Sequence, residues 1–268
     1  MARARNVKPG LFSNELLVEL PAFDRLAFIG LWCLADQALS QSGNLIFGSA
    51  DHPERAWTDL TATVRASGDL QGIVFYQATN GNETTWILVG SNGKVFSRYG
   101  DWSGQVARTT TFTSSETVYC VNVIGSFVLI AGSNGKLLSA VKVATDNLQN
   151  FTPRTSTFGY STILSMKLCN GKMFIVGADG KMAYSSDGLS WTAVEDTSFG
   201  GTIIRDIAYG NGKYVAVGDG GKTAVSEDGI GWVQQANTFA GTDIRSVAYG
   251  NGKFVAVGAD GKIAYWTP

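Results

Sequence analysis

The chain has 268 residues, with 21 Lys and Arg against 22 Asp and Glu and a pI near 5.9. So even a balance supplies no overall cationic field for nucleic acid. A single histidine, His52, and three cysteines, Cys33, Cys120 and Cys169, with no C-x-x-C pair, leave no ligand set for zinc; they read as an exposed loop residue and buried free thiols.

Residues 1–40 read as a short helical segment, separate from the rest. Ser13-Asn14-Glu15 can cap a helix ending before Pro21, and Phe23, Leu26, Ala27, Gly30, Leu31 and Leu34 keep the spacing of one helical face. The expectation is helix over 14–35, burying Phe28, Leu31 and Trp32 against the following domain or a partner chain, because so short a hairpin is marginal alone. The apolar stretch Leu26–Ala35 is too short to span a bilayer. It follows two acidic residues and Pro21, with no clean small-residue cleavage site, so it does not read as a secretory signal. The sequence thus predicts synthesis in the cytoplasm without a signal peptide and no membrane insertion, which suits a virion component. The stretch "RNVKPGLF…ELPAFDRLAFIGLW…AD" resembles the opening of phage replication-initiation proteins over residues 1–36. The basic recognition helix and wing of that family are replaced here by "QALSQSGNLIFGSADHPERAWTDL", so the resemblance does not carry DNA binding with it.

Residues 41–268 repeat a sentence. An apolar run, a glycine, a turn and a lysine recur as "LVGSNGK", "IAGSNGK", "IVGADGK", "AVGDGGK" and "AVGADGK". The lysines are Lys94, Lys136, Lys181, Lys222 and Lys262, at steps of 42, 45, 41 and 40 residues. Between Ile204–Val225 and Ile244–Tyr265, 15 of 22 positions are identical, which marks duplication. Each unit holds four short apolar runs separated by Asn-Gly, Asp-Gly or Gly-Gly, residues that take positive φ at little cost. The 33 glycines disfavour a helical solenoid. Four strands in about forty residues predict the blade of an all-β β-propeller. Five anchors predict five blades; "GNLIFGSAD" (Gly43–Asp51) supplies the grounds for a sixth. Val215, Val217, Ile175 and Phe254 are the expected core, with Trp102, Trp191 and Trp232 packing near each fourth strand. The last copy stops after its third strand, and "AWTDLTAT" (Ala56–Thr63) resembles a fourth, so Trp57–Ala62 is expected to pair with Lys262–Trp266 and close the ring.

The turns "SSDGLSW" (Ser185–Trp191) and "SEDGIGW" (Ser226–Trp232) resemble the Asp-box of sialidase-like (BNR-type) propellers, one residue shorter, as found in bacterial surface and phage structural proteins. In such turns the Asp bonds the local backbone, so Asp187, Gly188, Asp228 and Gly229 are expected to be structural. Sialidase chemistry needs an arginine cluster, a tyrosine nucleophile and an acid. Arg205 and Arg245 face hydrophobic counterparts in other repeats, and nothing breaks the repeat with that chemistry, so no enzyme is expected. No P-loop or dinucleotide fingerprint occurs in its proper context, and neither a cofactor nor a metal is expected. What remains is a non-enzymatic binding propeller of phage or surface type that recognises a glycan or a protein. The five lysines would then form a ring able to hold an anionic ligand. Two other readings stand beside it: a replication-associated protein acting through its N-terminus, and a structural or engineered repeat without a ligand.

Overall fold

The structure, a computed structural model, describes residues 46–47, 58–59, 69–77, 84–99, 106–142, 148, 150–236 and 238–268. The helix expected at 14–35, Cys33, His52 and Trp102 lie outside the described residues.

In chain order, β1 (Ile46–Phe47) and β2 (Thr58–Asp59) pair with each other. Five antiparallel sheets follow. The first holds β3 (Leu70–Gln77), β4 (Thr84–Gly90), β5 (Val95–Tyr99) and β6 (Val106–Ala107). The second holds β7 (Val118–Ile124), β8 (Phe127–Gly132), β9 (Leu137–Val141) and β10 (Thr152–Arg154). The third holds β11 (Ile163–Cys169), β12 (Lys172–Gly177), β13 (Met182–Ser185) and β14 (Thr192–Ala193). The fourth holds β15 (Ile204–Gly210), β16 (Lys213–Gly218), β17 (Thr223–Ser226) and β18 (Val233–Gln234). The fifth has three strands, β19 (Ile244–Gly250), β20 (Lys253–Gly258) and β21 (Ile263–Trp266). Each sheet is a meander, with every strand beside its neighbour in sequence. The all-β, propeller-like architecture expected from the repeats is the one observed.

The turn chemistry explains the meanders. Asn211 and Gly212 both take positive φ, 46° and 73°, and link β15 to β16 by two residues, the hairpin geometry that matches strand twist. Alternation along each strand then assigns side chains to the two sheet faces. Tyr214 and Ala216 look back into a core shared with Phe174 and Val176 of the third sheet. Val215 and Val217 look forward into one shared with Phe254, Ile244 and Val247 of the fifth. The four residues expected in the core, Ile175, Val215, Val217 and Phe254, are all buried. Each large side chain removed from water in this way contributes about 1.5–3 kcal/mol.

The first strands carry the succession: β3 packs on β7, β7 on β11, β11 on β15 and β15 on β19. No comparable packing joins β19 to β3 among the described residues, so the five sheets are not closed into a ring there. Of the expected closing strand, Trp57–Ala62, only Thr58 and Asp59 are described. Thr58 and Asp59 pair with Phe47 and Ile46, whereas β21 pairs with β20 alone among the described strands. Ile46–Phe47 is the nearer partner in the chain, and a short-range hairpin loses less entropy than a contact across some 200 residues. The rest of the Trp57–Ala62 stretch lies outside the described residues.

Candidate functional site

Antiparallel meanders gather their loops at two ends. One end carries the turns between second and third strands, with the repeated lysines, and the connections that lead from one sheet to the next. The other carries the Asn-Gly hairpins and the Asp-Gly turns.

At the lysine end, four of the five ammonium groups have a defined use. Lys181 Nζ donates to the carbonyl of Phe158 at 2.8 Å, Lys222 Nζ to that of Phe199 at 2.9 Å and Lys262 Nζ to that of Phe239 at 2.8 Å. The acceptor is always 23 residues upstream, on the connection entering the same sheet. The phenyl rings of Phe158, Phe199 and Phe239 are buried beneath. Lys136 is a variation: it donates to Thr111 O at 2.7 Å and to Glu116 at 2.6 Å, and lies over the Phe112 ring. Lys94 is exposed, and the connection entering its sheet lies outside the described residues. The lysines are therefore brought to one end, as the repeat implies, but four of the five clamp their own loops.

Glu116 is the most strongly held acid of this end. Burial alone would raise its pKa. Lys136, the Thr113 N–H at 2.7 Å and the Asn134 amide at 2.7 Å overcome this and bring it down to about 2. In the fourth sheet, at the same end, Arg205 pairs with Asp219 and reaches Asp243 at 3.9 Å, and Asp243 accepts from Gly220 N at 3.0 Å. Arg245, its equivalent in the next repeat, is exposed. No arginine cluster forms from these two positions.

At the opposite end, the Asp-Gly turns do what the sequence implied. Asp187 accepts from the N–H groups of Leu189 and Ser190 at 2.7 and 2.9 Å and from the Ser185 hydroxyl. Asp228 does the same with Ile230, Gly231 and Ser226. The backbone donors hold both carboxyls below the usual Asp value. Trp191 and Trp232 close each turn by donating Nε1–H to the carbonyls of Gly188 and Gly229. Gly188 and Gly229 take φ of 76° and 78° with their Cα atoms against the preceding sheet. A shallow depression beside the second turn is lined by Lys213, Glu227, Asp228, Val233 and Gln235. Lys213 and Glu227 pair there, and Asp228 spends its carboxylate on the turn's own donors.

The sequence reading passed over two residues. Asp206 is buried where other repeats have glycine, cysteine or serine, and its carboxylate bridges sheets: it accepts from Ser165 at 2.9 Å and Ser246 at 2.6 Å. Tyr160 is 91% exposed at the lysine end, at a position where the next two repeats have Gly201 and Gly241. In both cases the signal was one residue unlike its counterparts in the neighbouring repeats. Cys120 and Cys169 are buried free thiols, and burial pushes both up to about 12, so they stay protonated at neutral pH. Among the described residues no group of His, Cys, Asp and Glu is placed to hold a metal.

Residues 100–234, half of the chain, match the model of the DUF6242 beta propeller domain. The chain belongs to that family. The match is to a propeller domain. No curated protein matches the sequence. Solved structures agree on the fold. YCF48 bound to a D1 peptide is 18% identical, with a TM-score of 0.53 over 74% of this chain. This chain spans 65% of that YCF48 chain, less than two thirds of it. YCF48 from Cyanidioschyzon merolae is 15% identical, with a TM-score of 0.54 over 76% of this chain and 69% of its own. A catalytically inactive virginiamycin B lyase from Staphylococcus aureus with quinupristin is 10% identical, with a TM-score of 0.66 over 81% and 71%. At such identities the likeness is one of architecture alone.

Proposed function

We propose that this chain is a non-enzymatic binding propeller that takes a protein segment at the lysine end of its sheets. The observation that carries the reading is Tyr160. The repeated charged groups serve the scaffold: lysines hold loop carbonyls, and Asp187 and Asp228 hold turn amides. Recognition then falls to residues that break the repeat and face water. Tyr160 stands where the next two repeats have glycine and puts an exposed aromatic side chain on a loop held by a packed frame. Exposed aromatics on rigid loops are favoured anchors in protein interfaces. The peptide bound by YCF48 supports a protein ligand for this architecture. The clamped lysines weigh against a glycan's acidic groups as the main ligand, because each ammonium of the four already has a carbonyl partner.

The test is selection of a displayed random-peptide library on the immobilised chain, beside a glycan array. Peptides should be enriched, and Tyr160→Gly, which restores the repeat's own residue, should weaken their binding about tenfold or more while the melting temperature holds. Binding confined to glycans, or turnover of a glycan substrate, would overturn the reading.

A further inference from the structure

Tyr160 is presented by a loop that is fixed on both sides. Ser161 N donates to Phe158 O at 3.1 Å, closing a tight turn with Gly159, φ 60°, and Tyr160 at its centre. Lys181 Nζ holds the same carbonyl at 2.8 Å, and Ser156 Oγ donates to Gly135 O of the second sheet at 2.6 Å. The aromatic side chain therefore stands in water on a backbone with little freedom left, so contact with it costs little ordering.

The next residue decides what can lie against that ring. Ser161 Oγ donates to Asp179 Oδ2 at 2.6 Å, which ties an exposed carboxylate to the neighbour of Tyr160. Asp179 Oδ1 accepts no hydrogen bond, and the carboxylate makes no ion pair, among the described residues. Lys181, two residues on, is spent on Phe158 O. Glu195 and Asp196, exposed on the loop entering the fourth sheet, add charge of the same sign. Thr197, the following residue, donates its hydroxyl at 2.8 Å to the carbonyl of Gly180, which adjoins Asp179.

Asp179 occupies the tip of the repeated turn, with φ 58°, and the other repeats show how particular its pairing is. Asn92 and Asn134 hold the position in the first and second sheets, and Asn134 spends its amide on Glu116 at 2.7 Å; Gly220 holds it in the fourth. Asp260 holds it in the fifth, but the residue there that corresponds to Tyr160 is Gly241. Among the described residues, ring and carboxylate occur together only in the third sheet.

An open aromatic face beside an unpaired carboxylate suits a cation. Of the two basic side chains arginine fits better, because its planar guanidinium stacks on a ring and keeps its N–H fork for a carboxylate. We infer, resting on the reading of Tyr160 as the anchor, that the protein segment taken at this end carries a basic residue, arginine by preference, that lies across Tyr160 and pairs with Asp179.

The probe is a displayed random-heptapeptide library selected on the immobilised full chain at low salt. The enriched peptides should share an arginine or lysine at one position. One of them, labelled and titrated by fluorescence anisotropy, should bind about tenfold more weakly once that residue is changed to glutamine. Asp179→Asn gives the turn the residue that the first two sheets already carry at the same φ, so it should melt within about 3 °C of the parent. It should bind the peptide about fivefold more weakly, and the glutamine exchange should cost less in it than in the parent. Asp260→Asn, the same change beside Gly241, should leave binding unaltered. Enriched peptides without a shared basic residue, equal binding by Asp179→Asn, or an equal cost of the exchange in both chains would overturn the inference. If Tyr160→Gly still weakens those peptides, the binding end itself stands. A library from which nothing is enriched would overturn both.

Discussion

The repeated lysine shows how one residue type can look like a binding site in sequence and act as a structural element. A solvent-facing ammonium keeps its hydration, but Lys222 is half-buried and donates a hydrogen bond to Phe199 O at 2.9 Å. A charge-assisted bond of this kind contributes about 1 kcal/mol or somewhat more. Lys222→Met keeps the apolar stem and removes the donor, so it should lower the urea midpoint by an amount equal to about 1 kcal/mol with an unchanged slope. An unaltered midpoint would mean that the bond is not made in solution. Glu116 gives the corresponding test for an acid. Its folded pKa, about 2, lies below the ordinary value of 4.5, so the folded state prefers the charged form. That contribution is fully present above about 4.5 and is lost as the pH falls through about 2. Glu116→Gln should therefore melt below the parent at neutral pH, and the two curves should approach each other toward pH 2. A gap that stays constant with pH would show that the carboxylate's charge is not what matters.

At the scale of the element, the turns between strands set both register and packing. Gly229 has φ of 78°, and a Cβ there would lie 2.6 Å from Phe174 Cζ in the preceding sheet. Gly212 has φ of 73° with open space around it. Gly212→Ala should then cost only the backbone term, about 1 kcal/mol, and Gly229→Ala should cost about 2–4 kcal/mol through the added clash. Equal losses in chemical denaturation would refute a packing role for the Asp-Gly turn. These elements were legible in the sequence because a strand's period of two and an Asn-Gly pair are local signals. The core residues Val215, Val217 and Phe254 followed from the same pattern. What a lysine touches was not legible, because Phe199 and Lys222 meet only once the connection folds back over the turn. The partner of the Ala56–Thr63 stretch was not legible for a related reason. "AWTDLTAT" has the composition of a fourth strand, but composition does not say whether Thr58 and Asp59 pair with β21 or with β1. Tyr160 and Asp206 are single departures from a repeat, and a reading that weighs what recurs passes over them.

For the whole molecule, the question is how sheets that each contact only their neighbours act together. In a linear array of repeats, stability is a sum of units and nearest-neighbour terms, and a local defect stays local. Asp206 works against that simplicity. Its carboxylate, 3% exposed, accepts from Ser165 of the third sheet, from Ser246 and Val247 N of the fifth, and from Ile207 N in its own strand. Lys167 stands 3.6 Å away and offsets the charge. One side chain thus satisfies donors from three successive sheets, in a setting where an unpaired polar group costs about 1–3 kcal/mol. Asp206→Ala should leave several such donors unpaired and cost about 3 kcal/mol or more. Asp206→Ser places in the fourth sheet the residue that the third and fifth already carry, and should cost less. The decisive readout is where the loss appears. Native-state hydrogen exchange in Asp206→Ala should show faster opening in β11 and β19 as well as in β15, with β3 and β7 little changed. If only β15 loosens, the sheets are energetically independent and the carboxylate merely fills a gap. If all five loosen together, the array unfolds as one cooperative unit, and the bridge is one of many contacts that couple it.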